Sequence, residues 1–193
     1  MFTNSTYLIR ERVGLLKLAD TYDIVEADTG AQVGVAHEKP HWAVHVLRFL
    51  IDKRLLPTTV FIAPTMDAAP VLSIHRGPAF FRSKVSVKSG DGKEIGYFRS
   101  KFLSLGGAFR VFDRHDNQIA EIKGDWKGWN FKFLGSDGTE IGTVTKKWAG
   151  LAKEFFTSAD NYVINLAQGH SQEAMLILMA AGIAIDTVYK EGR

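Results

Sequence analysis

Twelve consecutive residues near the end of the chain, Ala174 to Ile185 (AMLILMAAGIAI), carry no strongly polar side chain. A membrane span needs about 20 apolar residues, whereas a run of about 10–14 is more often a buried core helix. Ser171 is placed to cap such a helix and Glu173 favours its first turn, so a helix is predicted over 171–189. Met175, Leu176, Leu178, Met179, Ile183 and Ile185 are its expected core side chains. A helix apolar on every face must be surrounded on every face. The chain that precedes it therefore has to enclose it.

What precedes it reads as hairpins. Asp91-Gly92 and Asp137-Gly138 are each followed by x-Glu-Ile-Gly, with weaker relatives at Asp116-Asn117 before Ile119-Ala120 and at Thr29-Gly30 before Val33-Gly34. Asp, Asn and Gly accept the positive φ angles of tight turns, and strand-like residues flank each one. Alternation supports strands: Phe81, Ser83, Val85 and Val87 oppose Arg82, Lys84, Ser86 and Lys88, and Phe98, Ser100 and Phe102 oppose Tyr97, Arg99 and Lys101. Further strands are predicted at 7–10, 15–18, 22–26, 32–36, 58–63, 71–75, 108–113, 119–123, 129–134 and 141–147. About a dozen short strands before one apolar helix predict a closed antiparallel barrel wrapped around that helix, a single domain over residues 1–193. One outer helix is expected at His41 to Lys53, where Trp42, Val46, Phe49 and Leu50 form an apolar stripe opposite His41, His45, Arg48 and Asp52.

The chain contains no cysteine, which excludes disulfides, thiolate metal sites, a cysteine nucleophile and cysteine-linked lipid anchors. At 193 residues it is long enough to bury a core without such staples. The first residues (MFTNSTYLIRERV) lack a basic segment followed by an apolar run, so the expected location is the cytoplasm, with peripheral contact at the membrane. Net charge is only +3, but it is unevenly spread. Arg82 to Lys153 holds fourteen Lys/Arg against eight Asp/Glu, and the rest of the chain holds ten against thirteen. The basic middle suits an anionic surface, lipid or nucleic acid.

Signals for chemistry are few. His41 and His45 have the i, i+4 spacing of a helical metal pair, but Arg48 continues the same stripe and would repel a cation. GDGKEIG leads into a strand, so no helix N-terminus is available to hold a phosphate. With neither a GxSxG elbow nor a P-loop, no enzymatic activity is expected. The cations are more informative. With Asp91-Gly92 as a two-residue turn, Lys84 opposes Arg99 and Arg82 opposes Lys101. Directly opposed like charges destabilise a sheet by about 0.2–1 kcal/mol per pair unless an anion lies between them. Arg82, Lys84, Lys88, Arg99 and Lys101 are thus the candidate site for phosphate-bearing headgroups, the alternative being a solvated wall whose side chains splay apart. Trp126, Trp129, Phe131, Phe133 and Trp148, interleaved with Lys127, Lys132, Lys146 and Lys147, suit interfacial lipid contact or base stacking, although alternation directs one set into the core.

The stretch from Gly142 to Asn165 (GTVTKKWAGLAKEFFTSADNYVIN), followed by the apolar tail ending in IAID, resembles the phospholipid scramblase family and its LURP-one-related and Tubby-like relatives. The resemblance is carried by Lys-Lys-Trp-x-Gly at 146–150, Glu-x-Phe-Thr at 154–157 and Ala-Asp-Asn followed by an aromatic at 159–162. It implies a twelve-stranded barrel around a hydrophobic C-terminal helix. The family's acidic calcium loop begins Asp-Ala-Asp-Asn, whereas this chain has Ser158 at its first position and Gly169 where a later acid is expected. Asp160, Asn161 and Asn165 remain as a low-affinity calcium candidate, and no other cofactor is implied. Tubby-like barrels bind phosphoinositides, which suits the basic face around Arg99. Extracting the helix to span a bilayer would expose a dozen residues at roughly 1.5–3 kcal/mol for each larger side chain, so contact from outside the membrane is expected. The expected function is peripheral binding of anionic phospholipid headgroups. The alternatives are a protein–protein scaffold docking through the 41–53 helix and a nucleic-acid-binding barrel, the latter ranked behind lipid.

Overall fold

A computed structural model of the chain describes residues 2, 4–12, 20–39, 56–77, 84–100, 108–125, 129–146 and 161–189, with side chains as far as 185. Twelve strands follow in order: β1 (Thr6–Glu11), β2 (Thr21–Glu26), β3 (Gln32–Glu38), β4 (Thr58–Ala63), β5 (Leu72–Arg76) and β6 (Lys84–Ser89). They continue as β7 (Glu94–Ser100), β8 (Ala108–Asp113), β9 (Gln118–Asp125), β10 (Asn130–Leu134), β11 (Glu140–Thr145) and β12 (Tyr162–Leu166), and a helix, α1 (Gln172–Tyr189), follows β12. Each strand pairs antiparallel with its sequence neighbours, and β1 pairs with β12 to close the barrel. Closure leaves no free sheet edge. The predicted strand at 15–18 and the predicted outer helix at His41 to Lys53 lie outside the described residues.

The turn repeat encodes more than a turn. Gly30, Gly92, Asp116 and Gly138 have φ angles between 64° and 82°, in the left-handed region. Three residues later comes Val33, Ile95, Ile119 or Ile141, and at each of these the cross-strand register shifts by one residue. The repeat therefore specifies a turn followed by a bulge, and bulges bend and twist strands as a closing barrel requires. The glycine that follows has its own reason. A Cβ on Gly96 would lie 2.5 Å from the Phe112 carbonyl oxygen and 2.7 Å from Ile177 Cδ1, so only hydrogen fits where β7 approaches both β8 and the helix.

These hairpins correct the expected two-residue turn. The Ser89 amide donates to the Lys93 carbonyl and the Gly92 amide to the Ser89 carbonyl, which closes a three-residue loop at 90–92. Ser89 and the Lys93 amide both bond the Asp91 carboxylate, holding the longer loop, and these bonds with Lys93 keep that carboxyl far below its ordinary range. The bulge at Ile95 then compensates for the extra residue. From Val87↔Gly96 onward the pairing matches the sequence-based expectation, including Lys84↔Arg99.

The helix fills the interior. The Ala174 amide donates to Ser171 Oγ at 3.2 Å, the N-cap expected from sequence, and α1 packs against β5, β7, β8 and β12. Met175, Leu178, Met179, Ile183 and Ile185 are buried and Leu176 is half-buried. They join one continuous core with inward strand residues such as Phe98, Phe131 and Phe133.

Candidate anion-binding site

Outward positions on β6, β7 and β8 line up across the strands. Lys84 is paired with Arg99, and Arg99 with Arg110 on its other side. Neighbouring strands lie about 4.8 Å apart, so three cations fall within about 10 Å along one row. Arg110 is the member that sequence reasoning missed. The link between β7 and β8 lies outside the described residues, and the alternation of β8 (Phe109 and Val111 in, Arg110 out) could have marked Arg110 only as exposed.

Aromatic rings support this row. Tyr97 points outward yet is only 4% exposed, because its neighbours cover it. It stacks on Phe112 with ring centroids 4.9 Å apart and planes 15° from parallel. Lys84 Nζ sits 4.3 Å from the Tyr97 centroid and Arg99 Cζ 4.9 Å from it, a double cation–π contact. The phenol donates to Asp116 Oδ1 at 2.7 Å, and burial together with that bond pushes its pKa up, so it remains a neutral donor. Asp116 itself sits at the left-handed turn position, so the β8–β9 hairpin fixes the floor of the site.

One acid bonds a cation of the row, and a second, Glu121, faces Arg110 from β9. Glu94 Oε1 accepts from Lys84 Nζ at 2.6 Å, and Glu94 also pairs across the sheet with Lys88. Burial raises the Glu94 carboxyl, but hydrogen bonds from Lys84 and Ser86 and the charges of Lys84 and Lys88 outweigh it, leaving the pKa below the ordinary value. Arg110 makes no hydrogen bond or ion pair among the described residues, and the only such contact of Arg99 is the Tyr97 ring. Arg82 and Lys101, predicted to extend the face, lie outside the described residues.

Beside Lys88 lies a polar ladder that sequence reasoning also missed. Ser73 is paired with Lys88, and His75 bonds Ser73 Oγ through Nε2 (3.0 Å) and Thr59 Oγ1 through Nδ1 (3.1 Å). Burial, then the Lys88 charge, lowers the His75 pKa and keeps the imidazole neutral at pH 7. The i, i+2 spacing of Ser73 and His75 on one strand was its only sequence signal. Farther round the wall, His37-Glu38-Lys39-Pro40-His41 spells H-E-x-x-H, a zinc motif that requires a helix to bring both histidines to one face. Here His37 and Glu38 occupy β3, where neighbouring side chains point to opposite faces, and His41 lies outside the described residues.

The other candidates separate. Asn161 is 3% exposed and its Oδ1 accepts from the Glu11 amide, while Asn165 Nδ2 donates to Thr6 Oγ1. Four residues along extended chain place the two side chains about 13 Å apart. The structure therefore does not bring them to one ion, and Asp160 lies outside the described residues. Among the described residues no group of three or more His, Cys, Asp or Glu could hold a metal. Trp129, Phe131 and Phe133 are buried, with Lys146 Nζ 4.5 Å from the Trp129 ring, so the described part of the aromatic cluster serves the core. Trp126, Lys127, Lys147, Trp148 and the His41/His45 pair lie outside the described residues. Among the described residues no helix is long and apolar enough to cross a membrane.

No curated protein and no solved structure matched the chain. A protein-family model did: the family described as Scramblase matches residues 22–192, from β2 to beyond the core helix. That span includes the cationic row, its aromatic floor and the Lys-Lys-Trp-x-Gly stretch. Barrel, enclosed helix and family match agree, and the chain belongs to the scramblase family, which supports a scramblase-related function.

Proposed function

We propose that this scramblase-family barrel binds anionic phospholipid headgroups, phosphoinositides among them, from outside the bilayer through the outer wall of β6, β7 and β8. The observation that carries this reading is the Lys84–Arg99–Arg110 row, in which, among the described residues, Lys84 alone makes an ion pair, with Glu94. A folded sheet gains nothing from opposed cations on neighbouring strands, and an arriving anion relieves their repulsion. Lys88 borders the row, while Arg82 and Lys101, candidates from the sequence, lie outside the described residues. The barrel acts as a binding module rather than an enzyme, without a bound cofactor, at the cytoplasmic surface of a membrane. The buried helix supports contact from outside: drawing it into a bilayer would strip the barrel of its core.

Co-sedimentation with vesicles tests the reading. Phosphatidylcholine vesicles carrying phosphatidylserine should bind the protein, more strongly at low salt, and pure phosphatidylcholine vesicles should not. The Lys84→Ser, Arg99→Ser, Arg110→Ser triple variant should lose binding while keeping its melting temperature. Equal binding to both vesicle types would overturn the proposal.

A further inference from the structure

We infer that the Arg99–Arg110 pair selects phosphate monoesters over phosphate diesters, an inference that rests on the headgroup-binding role proposed above. The two arginines are direct cross-strand partners on the outer wall, both exposed. Neither makes an ion pair: Arg99 lies against the Tyr97 ring, and Arg110, although Glu121 faces it from β9, has no hydrogen-bonding or ionic partner among the described residues. A guanidinium stacked on a ring keeps its in-plane N–H donors for another acceptor. The stacked Tyr97 and Phe112 flank both arginines on their own strands and occupy the adjacent outer positions.

Two guanidinium forks side by side present more donors than the two free oxygens of a phosphate diester can accept, and twice its single charge. A monoester offers three oxygens and about −1.5 to −2 charges at pH 7, enough to engage one fork bidentately and the other through the remaining oxygen. Two nearby cations also favour loss of the monoester's second proton, which reinforces the match. Lys84, at the end of the row, is already engaged by Glu94, and Glu121, facing Arg110 from β9, lies 3.5 Å from Lys123. Recognition is therefore centred on the two arginines. The ligand chemistry is a terminal phosphate, carried either by a lipid of the phosphatidic acid type or by a soluble phosphate ester.

The test uses phosphatidylcholine vesicles containing phosphatidic acid or phosphatidylserine, matched for surface charge. The full chain should bind the phosphatidic acid vesicles about tenfold more tightly, the worth of one charge-assisted hydrogen bond. Arg110→Lys keeps the charge and loses the fork, so phosphatidylserine binding should stay within about twofold while the preference collapses, at unchanged melting temperature. A wild-type protein that binds both vesicle types without the preference, or an Arg110→Lys variant that retains it, overturns the inference. Titration with glycerol 3-phosphate separates the sources. Saturable binding without any vesicle binding assigns a soluble ester and defeats the headgroup reading alone, whereas vesicle binding that glycerol 3-phosphate does not compete assigns the lipid. Binding of phosphatidylserine and phosphatidic acid vesicles to the same extent leaves the headgroup reading standing and removes this one.

Discussion

Lys123 and Lys132 face each other across β9 and β10 as directly as Arg99 and Arg110 do across β7 and β8. Each lysine, however, has an acid within reach: Glu121 lies 3.5 Å from Lys123 and Glu140 2.8 Å from Lys132. Arg99 has none, and the acid that faces Arg110, Glu121, is the one that reaches Lys123. The same barrel thus carries one like-charged pair that is locally neutralised and another that is left open, about two strands away. Neutralised charge on a sheet surface contributes little to stability or recognition, since exposed pairs are worth about 0–1 kcal/mol and salt screens them. Unneutralised charge over an aromatic floor is a standing invitation to an anion. Total charge would not reveal this difference; the acids' positions do.

Substitutions on both pairs, acid pH and chelation break or sharpen the contrast. Arg99→Ser with Arg110→Ser should weaken binding to phosphatidylserine vesicles about 30-fold, at roughly 1 kcal/mol per cation near an anionic surface. Lys123→Ser with Lys132→Ser should cost no more than about threefold, because their charge is already matched. Equal losses in sedimentation would reduce the wall to a simple count of charges. Next, Glu121→Gln with Glu140→Gln should convert the neutralised pair into an open one and raise affinity about fivefold; no gain would show that position matters more than neutralisation.

A smaller effect is expected from Glu94→Gln, which frees Lys84 and should strengthen vesicle binding about threefold. The same gain should appear in the unaltered protein at low pH. Because the Glu94 carboxyl titrates below its ordinary value of 4.5, its stabilising ion pair is fully present above that value and is lost as pH falls through the lower folded value. Stability should therefore drop slightly in that acid window while anion affinity rises. Thermal melts and sedimentation between pH 5 and pH 3, compared with Glu94→Gln, would check both signs. Last, removal of divalent cations with EDTA should leave vesicle binding unchanged, since Asn161 and Asn165 are bonded elsewhere and stand far apart. A chelator-sensitive interaction would move attention from the arginine wall to the segment before β12.

Much of the scaffold was legible. An apolar run that no single sheet face could cover implied enclosure, and the repeated Asp-Gly turns implied a meander to provide it. The bulges were written in the spacing of Val33, Ile95, Ile119 and Ile141 but show no periodic signature, since one inserted residue reads locally like continued strand. β12 went unread for a different reason. Tyr162, Val163 and Ile164 are all buried, with Val163 in a small cluster with Leu8 and Val25 apart from the main core. A strand buried on both faces has no alternation to detect. Lys84 and Arg99 could be paired by counting back from a turn, whereas Arg110 could not, because counting from Gly106-Gly107 would oppose it to Leu103 and not to Arg99. The polar ladder at Thr59, Ser73 and His75 needed the register of β4 and β5, which no motif announces.

The seam between β1 and β12 has a consequence for how the protein is made. Thr6 and Asn165, hydrogen-bonded across it, are 159 positions apart. At about 5–20 residues per second, the first strand leaves the ribosome on the order of ten to thirty seconds before its closing partner exists. The helix that fills the interior is translated later still. Throughout that interval the nascent sheet is an open ribbon with two unpaired edges and an apolar face that its own filler has yet to reach. Closing the seam and seating the helix therefore come after every other described strand has been made, and until then the open edges are a template for wrong pairing.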